Sequence, residues 1–311
     1  ESLGGAPFIP ADSHERALVP SLSLEAYTFP DGTTIEGTAE TIAKSQDNQT
    51  EVNKKRNTII ESVFDPVLEK FGLARKDYLD GDLTEGSAEI IDTGSTGRYS
   101  NAPGDGDFDF MMKLDRKDIT DSTKREQILN AFCDILGLSA DAIQGGNIRA
   151  KHVSLPGLDE PVDIDITFAV KTNKVRYSTD VALKEFYASM TPEKKKEVVA
   201  NVVFAKRFLK AAEAYKANRG KTPQGGLGGV GIENWVLQSG GSFLAAARDF
   251  MQVANECGDS FEAFKGKYAV FDYGQNHQGG EYDDFVVSNM SKEGYDKMRQ
   301  ALREYLAQIK T

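Results

Sequence analysis

The sequence predicts an α+β fold, in which a mixed sheet with flanking helices precedes a helical region. Two observations carry this prediction. Runs in which polar and apolar residues alternate, as half-buried strands require, lie before residue 171. After residue 192 the apolar residues recur every three to four positions, which is the period of an amphipathic helix.

The first part begins with an irregular leader, residues 1–48, in which 28–37 forms a turn between two short strands. Apolar residues at three- and four-residue steps then predict a helix from about Asn53 to about Gly72. The other elements predicted here are strands at 87–95, 107–114 and 161–170 and a helix at 122–136.

The second part consists of helices in this prediction. A long helix covers 192–218, and the glycine-rich segment 222–231 ends it. Further helices are expected at 232–256 and 292–309. The predicted domains are therefore a leader (1–48), a sheet domain (49–185) and a helical domain (186–311).

Composition excludes several classes of function. No apolar run approaches the roughly 18–20 residues of a membrane helix, so no membrane partner is expected. The two cysteines, Cys133 and Cys257, and three scattered histidines exclude a disulfide framework and a Cys/His metal cluster. A reducing cytoplasm is the default location. The net charge of −11 argues against extended nucleic-acid binding as the main activity.

Three short motifs form the candidate site. Gly94 and Ser95 lie where the strand predicted at 87–95 runs into a turn, and Asp107 and Asp109 belong to the strand that follows. Asp163 and Asp165 lie on the later strand at 161–170. Side chains two residues apart on a strand point to one face, so neighbouring strands would gather these carboxylates on one surface.

Such a cluster of like charges raises the pKa of each acid and costs stability unless cations neutralise it. Magnesium prefers oxygen ligands and commonly combines one or two carboxylates with phosphate oxygens. The pattern therefore predicts two Mg²⁺ ions, with Mn²⁺ as a substitute. The Gly94-Ser95 turn would bring backbone N–H groups and a hydroxyl close to a triphosphate.

The order Gly-Ser, Asp-x-Asp and later acid resembles the DNA polymerase beta superfamily of nucleotidyltransferases. TGSTGRYSNAPGDGDFDFMMKL (93–114) and VDIDITFAV (162–170) are similar to the active-site strands of the group that contains cyclic GMP-AMP synthase, oligoadenylate synthase and the bacterial cyclic-oligonucleotide synthases. The resemblance implies that the sheet domain (49–185) is a nucleotidyltransferase catalytic domain in which Asp107, Asp109 and Asp165 hold the metal ions. It also implies an active site in the cleft between this domain and the helical domain. It leaves Asp163 as a supporting or surface acid.

KRFLKAAEAY (206–215) resembles a helix of archaeal CCA-adding enzymes that contacts the triphosphate. By that resemblance, Lys206 and Tyr215 contact phosphate, and Arg98 matches an arginine that follows the Gly-Ser turn. The alternatives are a solvated helix face for Lys206 and a packed aromatic for Tyr215.

The resemblance implies an enzyme that binds ATP or other nucleoside triphosphates and releases pyrophosphate. Our first hypothesis is a template-independent synthase of a linear or cyclic oligonucleotide, a second messenger of the kind used in antiviral defence. The alternative is nucleotide addition to an RNA or tRNA 3′ end. A third hypothesis is a non-catalytic nucleotide-binding protein.

Overall fold

The computed structural model describes residues 23–77, 86–104, 106–170, 179–215, 225–272 and 284–309. The chain divides into two compact units, Gln46–Arg176 and Glu1–Ser45 together with Tyr177–Thr311. We call them the sheet unit and the helical unit. The first contains a six-stranded mixed sheet with helices, and the second is mainly helical, so the predicted α+β class is confirmed. Within the described ranges, none of the helices has the length and apolar character of a membrane span.

The sheet unit opens with the helix predicted to end near Gly72. Helix α2 begins earlier than predicted, at Ser45, and continues through a π-helical turn into α3. The predicted strands and the helix at 122–136 are confirmed, within two residues at each end. The elements are α2 (Ser45–Ile59), the π turn (Ile60–Phe64), α3 (Asp65–Lys70), β3 (Ala74–Asp77), β4 (Ser87–Thr93), α4 (Gly94–Arg98), β5 (Phe108–Leu114), α5 (Arg116–Thr120), α6 (Ser122–Leu136), β6 (Ile143–Gln144), β7 (Asn147–Val153) and β8 (Val162–Val170).

The sheet has the strand order β3-β4-β5-β8-β7-β6. Its central strands β5 and β8 are parallel, and β4 and β7 are antiparallel to them on either side. Every second residue of β5, from Phe108 onward, is buried, and β8 buries Val162, Ile164 and Ile166 in the same way. The acidic residues between them are therefore left on the opposite face.

The helical unit begins with the described part of the leader. Its elements are β1 (Tyr27–Thr28), β2 (Thr34–Ile35), α1 (Thr38–Ala43), α7 (Thr179–Ala188), α8 (Pro192–Ala211), α9 (Gly229–Gln238), α10 (Phe243–Cys257), α11 (Phe261–Lys265), α12 (Phe285–Asn289) and α13 (Lys292–Gln308). The predicted turn between two short strands is confirmed as the β1–β2 hairpin.

The described leader residues pack into the core of the helical unit. The ring of Tyr27 lies 5.7 Å from that of Phe208 and 5.1 Å from that of Tyr305. Glu36 also pairs with Arg207 at 2.9 Å, Nη1 to Oε2. The burial of Tyr27 against aromatic rings from α8 and α13 is the physical reason for this grouping.

The helices of the second part differ from the prediction in two places. The stretch 232–256 forms two helices, because Gly240 and Gly241 take positive φ angles of 72° and 81°, and Ser242 then caps α10. Helix α8 ends at Ala211, before the predicted end at 218, which lies outside the described residues. The last helix is confirmed, with Ser291 as its N-cap.

Candidate active site

The structure brings the three predicted metal ligands to one end of the two central strands. Asp107 directly precedes β5, Asp109 lies within β5, and Asp165 lies within β8. Asp109 and Asp165 are register partners, and paired strands lie about 4.8 Å apart. Because register partners on parallel strands point to the same face, their carboxylates are neighbours, and Asp107 projects beside them two residues earlier.

The Gly94-Ser95 turn lies directly against this acidic edge. Thr93, the last residue of β4, pairs with Asp109, and Gly94 follows with a φ of 69°. A Cβ atom built at Gly94 would overlap the carboxylate of Asp109. Glycine therefore does two things here: it permits the left-handed backbone, and it leaves room for the Asp109 carboxylate.

Helix α2 anchors the segment that joins the turn to Asp107. Tyr99, which has a left-handed φ of 56°, donates its hydroxyl hydrogen to Oδ1 of Asn53 at 2.6 Å. Asn48 and Asn101 exchange two amide hydrogen bonds of 3.3 and 3.2 Å. Asn101 is buried, so this pair fixes the segment without competition from water.

Two further contacts complete this anchoring. Arg56 of α2 pairs with Asp92 at the end of β4, with Nη1 2.9 Å from Oδ2. The hydroxyl of Thr96 donates to the backbone carbonyl of Asp107 at 3.0 Å. The backbone that carries Asp107 is thus tied to the turn, and the strand before the turn is tied to α2.

One carboxylate oxygen at this edge lacks a partner. Oδ1 of Asp165 is buried and has no hydrogen-bond partner, which is costly for a carboxylate unless a cation meets it. Among the described residues, no group of three or more His, Cys, Asp or Glu side chains is placed so that it could hold a metal ion. The register pair Asp109 and Asp165 still offers carboxylates of the type that Mg²⁺ uses, since Mg²⁺ commonly combines one or two carboxylates with water and phosphate oxygens.

Asp163 has a different environment from Asp165, its neighbour on the same face. Its Oδ2 lies 3.0 Å from Nζ of Lys151, and its Oδ1 accepts a hydrogen bond from the backbone N–H of His152 at 2.7 Å. Burial would raise the pKa of Asp163, but these contacts outweigh it and lower the pKa to about 2. Lys151 also reaches Oδ2 of Asp107 at 3.2 Å, a contact that the sequence analysis did not predict.

The predicted phosphate contacts Lys206 and Tyr215 lie in the helical unit. Lys206 is not solvated: only 8% of it is exposed, and Nζ lies 3.0 Å from Oε1 of the fully buried Glu233. Tyr187 donates its hydroxyl hydrogen to the other oxygen of Glu233 at 3.1 Å. Both Lys206 and Tyr215 approach Gly229, at the start of α9. Their contact with phosphate stays a prediction.

The third predicted phosphate contact, Arg98, is buried within the sheet unit, with 3% of its surface exposed. It lies in the last turn of α4, directly after the Gly94-Ser95 turn. Its guanidinium therefore lies inside the unit in this structure, and its predicted contact with a triphosphate also stays a prediction.

Comparison with known proteins gives no match at the level of sequence: neither a family model nor a curated protein matches this chain. Solved structures do match. The structure of Cid1 poly(U) polymerase bound to MgGTP has a TM-score of 0.52 at 13% identity, covering 88% of this chain and 95% of Cid1.

Two bacterial structures also align, at lower TM-scores. The STING-associated CdnE c-di-GMP synthase from Capnocytophaga granulosa has a TM-score of 0.47 at 13% identity, covering 88% of this chain and 82% of that chain. CdnC of E. coli MS115-1, solved in a HORMA-deltaN complex, has a TM-score of 0.46 at 13% identity, covering 84% and 83%. On the likeness to Cid1, this chain has the nucleotidyltransferase fold that its Gly-Ser and Asp-x-Asp motifs predict.

Proposed function

We propose that this protein is a metal-dependent nucleotidyltransferase that joins nucleoside triphosphates and releases pyrophosphate. The observation that carries the proposal is the buried, unpartnered Oδ1 of Asp165, on the residue that pairs in register with Asp109. A cation at this edge explains why the fold keeps such an oxygen. The Gly94-Ser95 turn, packed against Asp109, supports the same reading because it places backbone N–H groups beside the acids.

Asp107, Asp109 and Asp165 would hold Mg²⁺ ions. When bound, such ions stabilise the negative charge on both the attacking and the leaving oxygen. The reaction is an in-line displacement. An acceptor hydroxyl attacks the α-phosphorus of a nucleoside triphosphate, the bond from that phosphorus to the bridging oxygen breaks, and pyrophosphate leaves with that oxygen.

The residues of this chain then have separate tasks. Asp165 would accept the proton of the attacking hydroxyl. Gly94 and Ser95 hold the triphosphate through backbone N–H groups and the hydroxyl. Lys206 and Tyr215 are the further phosphate contacts of this proposal, and the ammonium of Lys206 would have to serve both phosphate and Glu233, with which it is paired.

We propose a second nucleotide as the acceptor, which makes the product a linear or cyclic oligonucleotide. The net charge of −11 supports a small acceptor, since gripping a long RNA depends on phosphate contacts with basic residues. Addition to an RNA 3′ end is the alternative, and binding of a nucleotide without turnover is the third.

The test is incubation with each labelled nucleoside triphosphate and Mg²⁺, with and without bulk tRNA, beside an Asp107→Ala/Asp109→Ala control. Small labelled products that form without RNA and vanish in the control are the expected result. Label found only on RNA makes the protein a terminal transferase. Tight nucleotide binding with no pyrophosphate release over a range of metal ions contradicts an enzymatic function.

A further inference from the structure

Strand β7 is irregular next to the acidic edge. Its register with β8 shifts between Ala150 and Val153, which marks a β-bulge, and His152 has a positive φ of 55°. Adjacent residues of a regular strand point to opposite faces. Here Lys151 and His152 are both exposed, and the side chains of both contact Asp163. Lys151 lies on the face that carries the acids by regular alternation with Arg149, and the bulge turns His152 onto that face as well.

The conformation of His152 is held by Asp163. A left-handed backbone is uncommon for a residue other than glycine and persists only where the surroundings enforce it. The carboxylate of Asp163 accepts the backbone N–H of His152 at 2.7 Å and meets Nδ1 of its ring at 3.1 Å. The bulge thus holds His152 beside Asp163, and Lys151, the residue before it, contacts the same carboxylate.

The ammonium of Lys151 lies between two carboxylates. It is 3.2 Å from Oδ2 of Asp107 and 3.0 Å from Oδ2 of Asp163. Asp107 is one of the three proposed metal ligands, whereas Asp163 is not. The ammonium of Lys151 thus already pairs with Asp107, a carboxylate that a metal ion would use as a ligand.

We propose that Lys151 is a placeholder cation, which neutralises Asp107 before a divalent ion binds and competes with that ion for the carboxylate. The inference rests on the proposed function, because it takes Asp107 as a metal ligand. In the metal-free protein the ammonium offsets repulsion among the clustered acids. When the ion binds, Lys151 keeps its contact with Asp163 and gives up its contact with Asp107.

The strength of the competition between Lys151 and a metal ion depends on how exposed to solvent the Lys151–Asp107 pair is. The side chains of Lys151 and Asp107 are 53% and 56% exposed, so water and salt screen their attraction. Removing the positive charge is expected to tighten divalent-ion binding by about two- to fivefold, the factor that corresponds to an exposed ion pair. A purely structural role for Lys151 would have the opposite effect, since loosening the edge would weaken binding.

The experiment measures Mn²⁺ affinity, without nucleotide, from the electron paramagnetic resonance signal of free Mn²⁺. It compares the full chain with its Lys151→Met, Lys124→Met and Asp165→Asn variants, each shown by thermal melting to be folded. Lys124 is the matched control: it also pairs with an aspartate, Asp118, at 2.6 Å, and it belongs to α6, which follows the opposite end of β5.

We expect Lys151→Met to bind Mn²⁺ about two- to fivefold more tightly than the unaltered chain, with the difference shrinking at high salt. Lys124→Met should bind as the unaltered chain does. Equal or weaker binding by Lys151→Met overturns the placeholder while leaving the metal site intact. If neither the unaltered chain nor any other variant binds Mn²⁺ more tightly than Asp165→Asn, Asp165 is not part of a metal site. The proposed role of Lys151 is then refuted together with that site.

Discussion

Replacing Gly94 by alanine separates the two tasks that this glycine performs. Its φ of 69° costs an alanine about 1–2 kcal/mol of folding free energy. The added Cβ would also overlap Oδ2 of Asp109, the end of a side chain that can rotate. The overlap therefore adds little to the loss of stability, but it moves a proposed metal ligand. A displacement of about 1 Å at a reacting centre reduces the rate by about 100-fold.

Gly72 provides the matched control for this substitution. Its φ is 64°, and a Cβ built there meets no atom within 4 Å. Gly72→Ala should thus show a similar shift in the urea midpoint with full nucleotide transfer. Gly94→Ala should show that shift together with the loss of turnover, measured as pyrophosphate release. Equal activity of the two variants would refute the reasoning, because the contact between Gly94 and Asp109 would then have no bearing on catalysis.

Three further substitutions test the packing and charge of the two units. Lys206→Met should lower the free energy of unfolding by about 3 kcal/mol, because Glu233 stays buried without its cation; adding Glu233→Gln should restore most of it in urea titrations. Asp163→Asn should cost about 1 kcal/mol at pH 7. Since the folded pKa of Asp163 is depressed to about 2, that difference should persist above pH 4 and fade as the pH falls through 2 in acid titrations followed by circular dichroism. Trp235→Phe removes the 2.9 Å hydrogen bond from the buried indole N–H to the hydroxyl of Tyr268 and should cost about 1–2 kcal/mol in thermal unfolding. An unchanged stability in any of these variants contradicts the corresponding contact.

The central strands could be predicted because their residues obey a simple rule of alternation. Phe108 and Phe110, the residues on either side of Asp109, are buried in the core, and so are Ile164 and Ile166 on either side of Asp165. Their pairing could not be predicted from the alternation, because it depends on a parallel contact between strands far apart in the chain. Only the structure places Asp109 opposite Asp165.

The contacts of Lys151 and Lys206 show where sequence patterns end. The bulge after Lys151 leaves one sign in the sequence, two adjacent polar residues inside a strand, and it turns His152 toward the carboxylate of Asp163 that Lys151 also contacts. Glu233 is the one charged residue of helix α9, and its pairing with Lys206 depends on how α8 and α9 pack. Such contacts join residues that are far apart in the sequence, so they cannot be predicted from the hydrophobic periodicity of a single helix or strand.

In the leader, the β1–β2 hairpin could be predicted from its turn residues, although its strands are two residues long and too short for a periodic signal. The residues against which the hairpin packs could not be predicted in this way. Tyr27 finds its aromatic partners Phe208 and Tyr305 in α8 and α13, in the second part of the chain.

The most direct test of the proposed site compares Asp165→Asn with Asp163→Asn. The two aspartates lie on the same face of β8, but only Asp165 has a buried oxygen without a partner. Mg²⁺-dependent pyrophosphate release from nucleoside triphosphates should fall by at least about 1000-fold in Asp165→Asn, as expected when a group that contacts the reacting atoms is lost. It should stay within about tenfold of the unaltered chain in Asp163→Asn. Equal activity of the two variants, or a greater loss in Asp163→Asn, would contradict the assignment of Asp165 to the site.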